Sequence, residues 1–99
     1  MDGFDAAGLD DAIHGKVRLS IMAYLSGAGS AAFPALREAT RTTDGNLSIH
    51  LKKLEEPGYV VIDKAFLGKK PVTTITLTPA GREAWIAYLD QIRRLITPA

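Results

Sequence analysis

The sequence contains no cysteine, which excludes disulfides and thiolate metal centres and fits a reducing compartment. It also lacks any apolar run near the roughly 18 residues that a membrane span requires. Residues 1–5, Met-Asp-Gly-Phe-Asp, are acidic and do not follow the basic, apolar, small-residue order of a secretory signal. These absences together place the chain, as an expectation, in the cytoplasm. No P-loop, nucleophile elbow or zinc-binding spacing occurs, and the histidines are only His14 and His50. Asp10-Asp11 and Glu55-Glu56 are adjacent pairs, whose side chains point about 100° apart on a helix, so neither is an acid/base dyad. They read as solvated helix charge. Catalytic residues, metal and cofactor are accordingly not expected.

A surplus of charge of either sign is missing too. The formal net charge is +1, so distribution matters more than sign. Residues 1–36 sum to −2. Residues 37–70 sum to +2, with Arg37, Arg41, Lys52, Lys53, Lys64, Lys69 and Lys70 against five acids, and the remainder adds +1. The basic character sits in the middle of the chain, and it is mild.

What is present is periodicity. Leu9, Ile13, Val17, Ile21 and Leu25 recur at four-residue intervals and predict a first helix over about 9–26. Gly27-Ala-Gly-Ser30 breaks it; Ala31-Ala-Phe33 suits one short strand, and Pro34 opens a brief second helix to about Thr40. After the polar turn Arg41-Thr-Thr43, Leu47, Leu51 and Leu54 mark one face of a third helix. Thr43 is its N-cap, Asp44 suits the positive end of the dipole, and Pro57-Gly58 stops it.

Tyr59-Val-Val-Ile62 and Val72-Thr-Thr-Ile-Thr-Leu77 are β-branched and aromatic, and they flank the turn residues Leu67-Gly-Lys-Lys-Pro71. They predict an antiparallel hairpin over about 59–77. Thr78-Pro79 is an N-cap followed by proline at N1, opening a last helix over about 79–96 with an apolar stripe of Trp85, Tyr88, Leu89, Ile92, Leu95 and Ile96. At this length one domain over residues 1–99 is expected. Its class is α+β, mainly α: a three-helix core with a helix-turn-helix over about 34–57, a β-hairpin wing and a closing helix. That closing stripe exceeds what a small three-helix core covers. A homodimer is therefore expected, joined through Leu9, Ile13, Trp85, Tyr88, Leu89, Ile92, Leu95 and Ile96. Trp85 and Tyr88 could instead line an effector pocket, although aromatics at helical spacing more often form core or interface.

Two helices joined by a short polar turn and followed by a basic-tipped hairpin form an arrangement in which the second helix enters the DNA major groove. Asp44-Gly-Asn-Leu-Ser-Ile-His-Leu-Lys-Lys-Leu-Glu-Glu-Pro-Gly-Tyr59 resembles the recognition helix of winged-helix regulators of the MarR and ArsR type, especially short single-domain relatives. Ile13-His-Gly-Lys-Val-Arg-Leu19 resembles their first-helix motif, Gly68-Lys-Lys-Pro-Val-Thr73 their wing, and Leu77-Thr-Pro-Ala-Gly-Arg82 the start of their final helix. The resemblance spans residues 9–90 and implies a dimeric DNA-binding regulator acting on a roughly palindromic operator. Pro57 departs from the family, which carries a small helix-compatible residue there. The missing cysteines depart from its metal-sensing members.

With Leu47, Leu51 and Leu54 turned inward, 100° per residue puts Gly45, Ile49, Lys52 and Glu56 on the opposite face, with Ser48 on one flank and Asn46 and Lys53 on the other. Asn46 suits adenine, Ser48 a base edge or phosphate, and Ile49 a thymine methyl; Lys52 and Lys53 suit phosphates. Thr43 and Gly45 lie at the helix N-terminus, where free amides favour a phosphate, and Gly45 permits close backbone approach. Lys69 and Lys70 at the hairpin tip should reach phosphates or the minor groove, with Arg37 and Arg41 clamping the flanking backbone. His50 reads either as a packed structural histidine or as a phosphate contact, and His14 as a packing residue. Double-stranded DNA is thus the expected partner, and the expected action is repression by blocking a promoter. A winged-helix protein–protein module without DNA readout is the alternative. Any small-molecule effector would bind between subunits.

Overall fold

The structure, a computed structural model, describes residues 9–96. The acidic opening at residues 1–5 lies outside them. The elements run α1 (Lys16–Ala28), β1 (Ser30–Ala32), α2 (Phe33–Thr40), α3 (Asp44–Glu55), β2 (Val60–Leu67), β3 (Lys70–Leu77) and α4 (Pro79–Ile96). This is the expected order, and the whole is a winged helix: helices around one core, with a three-stranded antiparallel sheet ordered β1-β3-β2.

The first helix begins seven residues later than its apolar spacing suggests. Asp10 turns the chain before the helix starts: its carboxylate accepts from the Ala12 N–H at 2.9 Å, and its carbonyl accepts from the N–H groups of Ile13 and His14. Such local bonds compete with a helical ladder. Gly15 then adopts φ +144°, a backbone state open to glycine, and α1 starts behind it. Leu9 and Ile13 are thus not helical. Asp10, read as solvated helix charge, instead accepts a 2.6 Å hydrogen bond from the Tyr59 hydroxyl, tying the leading segment to the residue just ahead of β2. That bond, with burial behind it, pushes the Tyr59 pKa up to about 12.

β1 lies one residue ahead of its expected position because Phe33 is drawn into α2, where Pro34 occupies the first turn and needs no donor. Its register, Ser30↔Thr76 through Ala32↔Thr74, clips the α1–α2 link onto β3. The hairpin is longer than its apolar segments suggest: β2 and β3 pair continuously from Val60↔Leu77 to Leu67↔Lys70, leaving only Gly68 and Lys69 at the tip. α3 stops slightly early. Its last ladder bond runs from the Glu56 N–H to the Lys52 carbonyl, and Pro57 has no N–H to extend it. Gly58, at φ +83°, lets the Tyr59 N–H return to the Leu54 carbonyl.

The core joins Ile13, Ile21, Met22 and Leu25 to Leu36, Leu47, Leu51, Leu54, Val60, Ile75 and Leu77, with Trp85 and Tyr88 from α4. Three residues expected at a subunit interface, Ile13, Trp85 and Tyr88, are therefore buried within the chain itself. Trp85 and Tyr88 stack with ring centroids 6.0 Å apart, and the Tyr88 hydroxyl meets His14 Nδ1 at 2.9 Å. Both rings are buried. Leu9 and Ile92 are half-buried against the same core. Leu89, Leu95 and Ile96 remain exposed, joined by Ile86 at 60% exposure, which the stripe had not included.

Candidate nucleic-acid interface

The third helix is positioned by its two ends. Thr43 is the N-cap: its Oγ1 accepts from the Asn46 N–H at 3.2 Å, while Asp44 opens the first turn. Ahead of it Arg41 sits in the left-handed region at φ +53°, turning the chain between α2 and α3. Leu47, Leu51 and Leu54 bury the inner face. The helical period then leaves Gly45, Asn46, Ser48, Lys52 and Lys53 exposed, with Ile49 57% exposed among them. An isoleucine held so far into water, on a helix whose three leucines are all buried, is suited to an apolar partner such as a thymine methyl. The Asn46 amide donates to the Thr42 hydroxyl at 3.1 Å and is held at the surface near the helix start.

One of the two arginines expected to clamp the DNA backbone has a role within the fold. Arg37 donates to Asp44 at 2.7 Å, linking α2 to the first turn of α3 and raising the pKa of the guanidinium through that bond and charge. This arginine, expected as a backbone clamp, is engaged as a spacer between the two helices. Arg41 remains exposed at the turn.

The hairpin extends along one flank of α3. Ser48, Leu51, Lys52, Asp44 and Glu55 from α3 face Ile62 and Lys64 of β2, Thr73 of β3, and Phe33 across an open groove of about 530 Å³. Sequence reasoning missed Lys64. Strand alternation would have found it, had the strand been drawn beyond Ile62: Val60, Ile62 and Lys64 share a face. Lys69 and Lys70 are exposed at the hairpin end. Lys52, Lys64, Lys69 and Lys70 thus border the third helix and the wing, with Asp44 and Glu55 as acids in the groove.

His50 sits toward α1. Its Nδ1 is buried without a hydrogen-bond partner, and its pKa is lowered by that burial and then by the charges of Arg18 and Lys53. A histidine held neutral in this way fits the packed reading better than an electrostatic phosphate contact. Arg18 donates to the His14 carbonyl at 3.1 Å. Among the described residues no group of three His, Asp or Glu side chains gathers in a metal-binding arrangement, and no helix is long and apolar enough to cross a membrane.

Comparison with known proteins agrees with this geometry. A solved transcriptional regulator homologue from Pyrococcus horikoshii OT3 superposes with a TM-score of 0.80 at 29% identity, covering 86% of this chain and 84% of that one. A MarR-family transcriptional regulator from Enterococcus faecalis V583 superposes at 0.71 with 26% identity, covering 90% and 88%. An uncharacterized protein of Methanocaldococcus jannaschii is 42% identical over 79 residues, 80% of this chain and 86% of its own length. The family described as the winged helix DNA-binding domain matches residues 17–96. These solved relatives are transcription regulators rather than enzymes. The chain belongs to the winged helix DNA-binding domain family.

Proposed function

We propose that this chain is a transcriptional repressor that binds a palindromic operator as a homodimer, with α3 in the major groove and the hairpin alongside. The observation that carries the reading is the placement of an exposed α3 face, Asn46, Ser48, Ile49 and Lys52, beside a wing that bears Lys64, Lys69 and Lys70. Asn46, Ser48 and Ile49 supply base-edge chemistry, while the lysines, with Arg41 and Lys53, supply phosphate charge. Gly45 and the Thr43-capped helix start offer backbone amides to a phosphate.

The dimer is supported by α4. Ile86 and Leu89 border a shallow groove with Glu83, Ala87, Asp90 and Arg93, and Leu95 and Ile96 continue the apolar surface past the last core residue. Two such faces meeting about a twofold axis would hold two α3 helices for two half-sites one turn apart. An effector, if one acts, would sit at that subunit junction. A dimer seated on a promoter excludes other proteins from that DNA, and repression by this route is the action proposed.

The test is fluorescence anisotropy against DNA from immediately upstream of the protein's own reading frame and against a scrambled duplex, each at two salt concentrations. Tight binding to the upstream DNA, with weaker and steeply salt-dependent binding to the scramble, supports the proposal. Replacing Asn46 and Lys52 with alanine should abolish the difference while the fold stays intact. Absence of binding at low salt overturns the reading and leaves the protein–protein module in its place.

A further inference from the structure

The outer half of the hairpin carries apolar side chains that the core does not explain. From residue 63 to residue 71 every position is exposed, yet Phe66 is 74% and Leu67 76% exposed at the end of the ladder. Exposed hydrophobic groups on a free hairpin add nothing to its folding and carry a risk of aggregation. Their placement is specific. Cross-strand pairing sets Phe66 against Pro71 and Lys64 against Thr73. Lys64 and Thr73 line the groove facing Ser48 and Lys52 of α3. Because alternate residues share a face, Phe66 and Pro71 lie on that same α3-facing side, about 7 Å farther out along the strands. Lys64, Lys69 and Lys70 surround this apolar tip, and residues 64–82 contain no acid.

With α3 in the major groove, a hairpin on its flank meets the neighbouring minor groove. That groove is about 6 Å wide, too narrow for a two-stranded ribbon, so only side chains at the tip could enter. We infer that Phe66, backed by Pro71, is an apolar wedge that enters the minor groove and partly unstacks a base step, while Lys64, Lys69 and Lys70 hold the phosphates on either side. This rests on the DNA-reading proposal above and deepens it. The charge around the tip selects a polyanion over an apolar protein partner. The step that yields most readily is a pyrimidine–purine step such as TA, so the wedge would favour one at a fixed distance from the bases read by α3.

The experiment uses the full chain and upstream duplexes carrying 2-aminopurine at successive positions across the bound site. The native protein should raise 2-aminopurine emission at one step in each flank, and Phe66→Ala should remove that rise and weaken binding on the order of tenfold. The slope of log affinity against log salt should stay unchanged in Phe66→Ala, since no phosphate contact is lost, whereas Lys69→Ala should lower it by about 1 and keep the emission rise. Phe66→Trp should restore both affinity and unstacking, and its own emission should be quenched on binding. Circular dichroism of Phe66→Ala should match the native chain, since the side chain is exposed. The wedge is overturned if Phe66→Ala binds and unstacks like the native protein, or if it changes the sedimenting mass of the free protein, which would assign the tip to self-association. In either case loss of binding in the Asn46 and Lys52 variants would leave the DNA-reading proposal standing. A native chain that binds no duplex overturns both.

Discussion

Gly81, in the first turn of α4, lies directly against the carbonyl of Tyr59. A Cβ built on Gly81 would overlap that carbonyl oxygen and crowd the Leu77 side chain. The approach is fixed from both sides. The Thr78 N–H donates to the Tyr59 carbonyl at 3.0 Å, the Thr78 hydroxyl donates to the Gly58 carbonyl at 2.6 Å, and the Gly81 N–H returns to that hydroxyl at 2.9 Å. Helix α4 is thereby anchored to the point where α3 hands over to β2. Gly81→Ala is expected to destabilise the fold by about 1–3 kcal/mol, because the obstacle is backbone and not a movable side chain. Urea unfolding measures it, and an unchanged midpoint would contradict the close approach.

The same substitution at Gly45 should have the opposite sign. Nothing lies within 4 Å of a Cβ placed there, and the residue is helical. Gly45→Ala is expected to stabilise the chain by about 0.5 kcal/mol through helix propensity. If backbone amides at the start of α3 receive a phosphate, the added methyl should weaken DNA binding severalfold even as the midpoint rises. A variant more stable and equally tight would remove Gly45 from the interface.

The Tyr59–Asp10 hydrogen bond predicts an alkaline loss of stability. Tyr59 is raised from 10 to about 12, by the bond to Asp10 first, then by burial and the Asp10 charge. A tyrosine whose folded pKa is raised stabilises the folded state fully below its unfolded value, and that contribution disappears as pH rises through the window from 10 to about 12. Tyr59→Phe should cost about 1 kcal/mol at neutral pH and flatten the stability profile within that window. Urea midpoints across it, for the native chain and for Tyr59→Phe, provide the check.

His50 predicts the acid counterpart. Its folded pKa lies below 6.5, chiefly because burial disfavours the charged ring. Stability should therefore be full above 6.5 and decline as pH falls through the lowered folded value. His50→Asn should show a shallower decline between neutrality and about pH 5. An identical pH dependence in native and variant chains would mean that the ring is not desolvated.

These features differ in how far the sequence displayed them. The α3 stripe of Leu47, Leu51 and Leu54 and the Thr43 and Thr78 caps are local patterns, and local patterns are legible. Gly81 was visible only as part of a resembling motif; its reason, the Tyr59 backbone more than twenty residues upstream, is a tertiary contact. The start of α1 was misread because an unbroken four-residue apolar spacing from Leu9 to Leu25 concealed the competing Asp10 turn and the positive φ of Gly15. Periodicity records which side chains are buried, and Ile13 is indeed buried, without recording whether the backbone between them is helical. Lys64 escaped because its strand extends past the core, where alternation of apolar and polar residues no longer has anything to bury.

The α4 face proposed for dimerisation illustrates the same limit, and it carries the last prediction. The apolar stripe of α4 serves two purposes that a helical wheel does not separate. Trp85 and Tyr88 fill the chain's own core, whereas Ile86, Leu89, Leu95 and Ile96 are left outside it. Burying an aliphatic side chain of this kind contributes about 1.5–3 kcal/mol, so a twofold contact that counts each residue twice has ample driving force. Leu89→Asp combined with Ile96→Asp should give a monomer by sedimentation, with native circular dichroism and an unchanged unfolding curve at low concentration. Tyr88→Ala should instead unfold the chain, since it empties a core position and leaves His14 without its 2.9 Å partner. Binding to a full palindrome should fall toward the level of a single half-site in the Leu89 and Ile96 variant, with Asn46 and Lys52 untouched. If that variant still sediments as a dimer, the subunits meet elsewhere, and the exposed end of α4 is not what brings two recognition helices onto one operator.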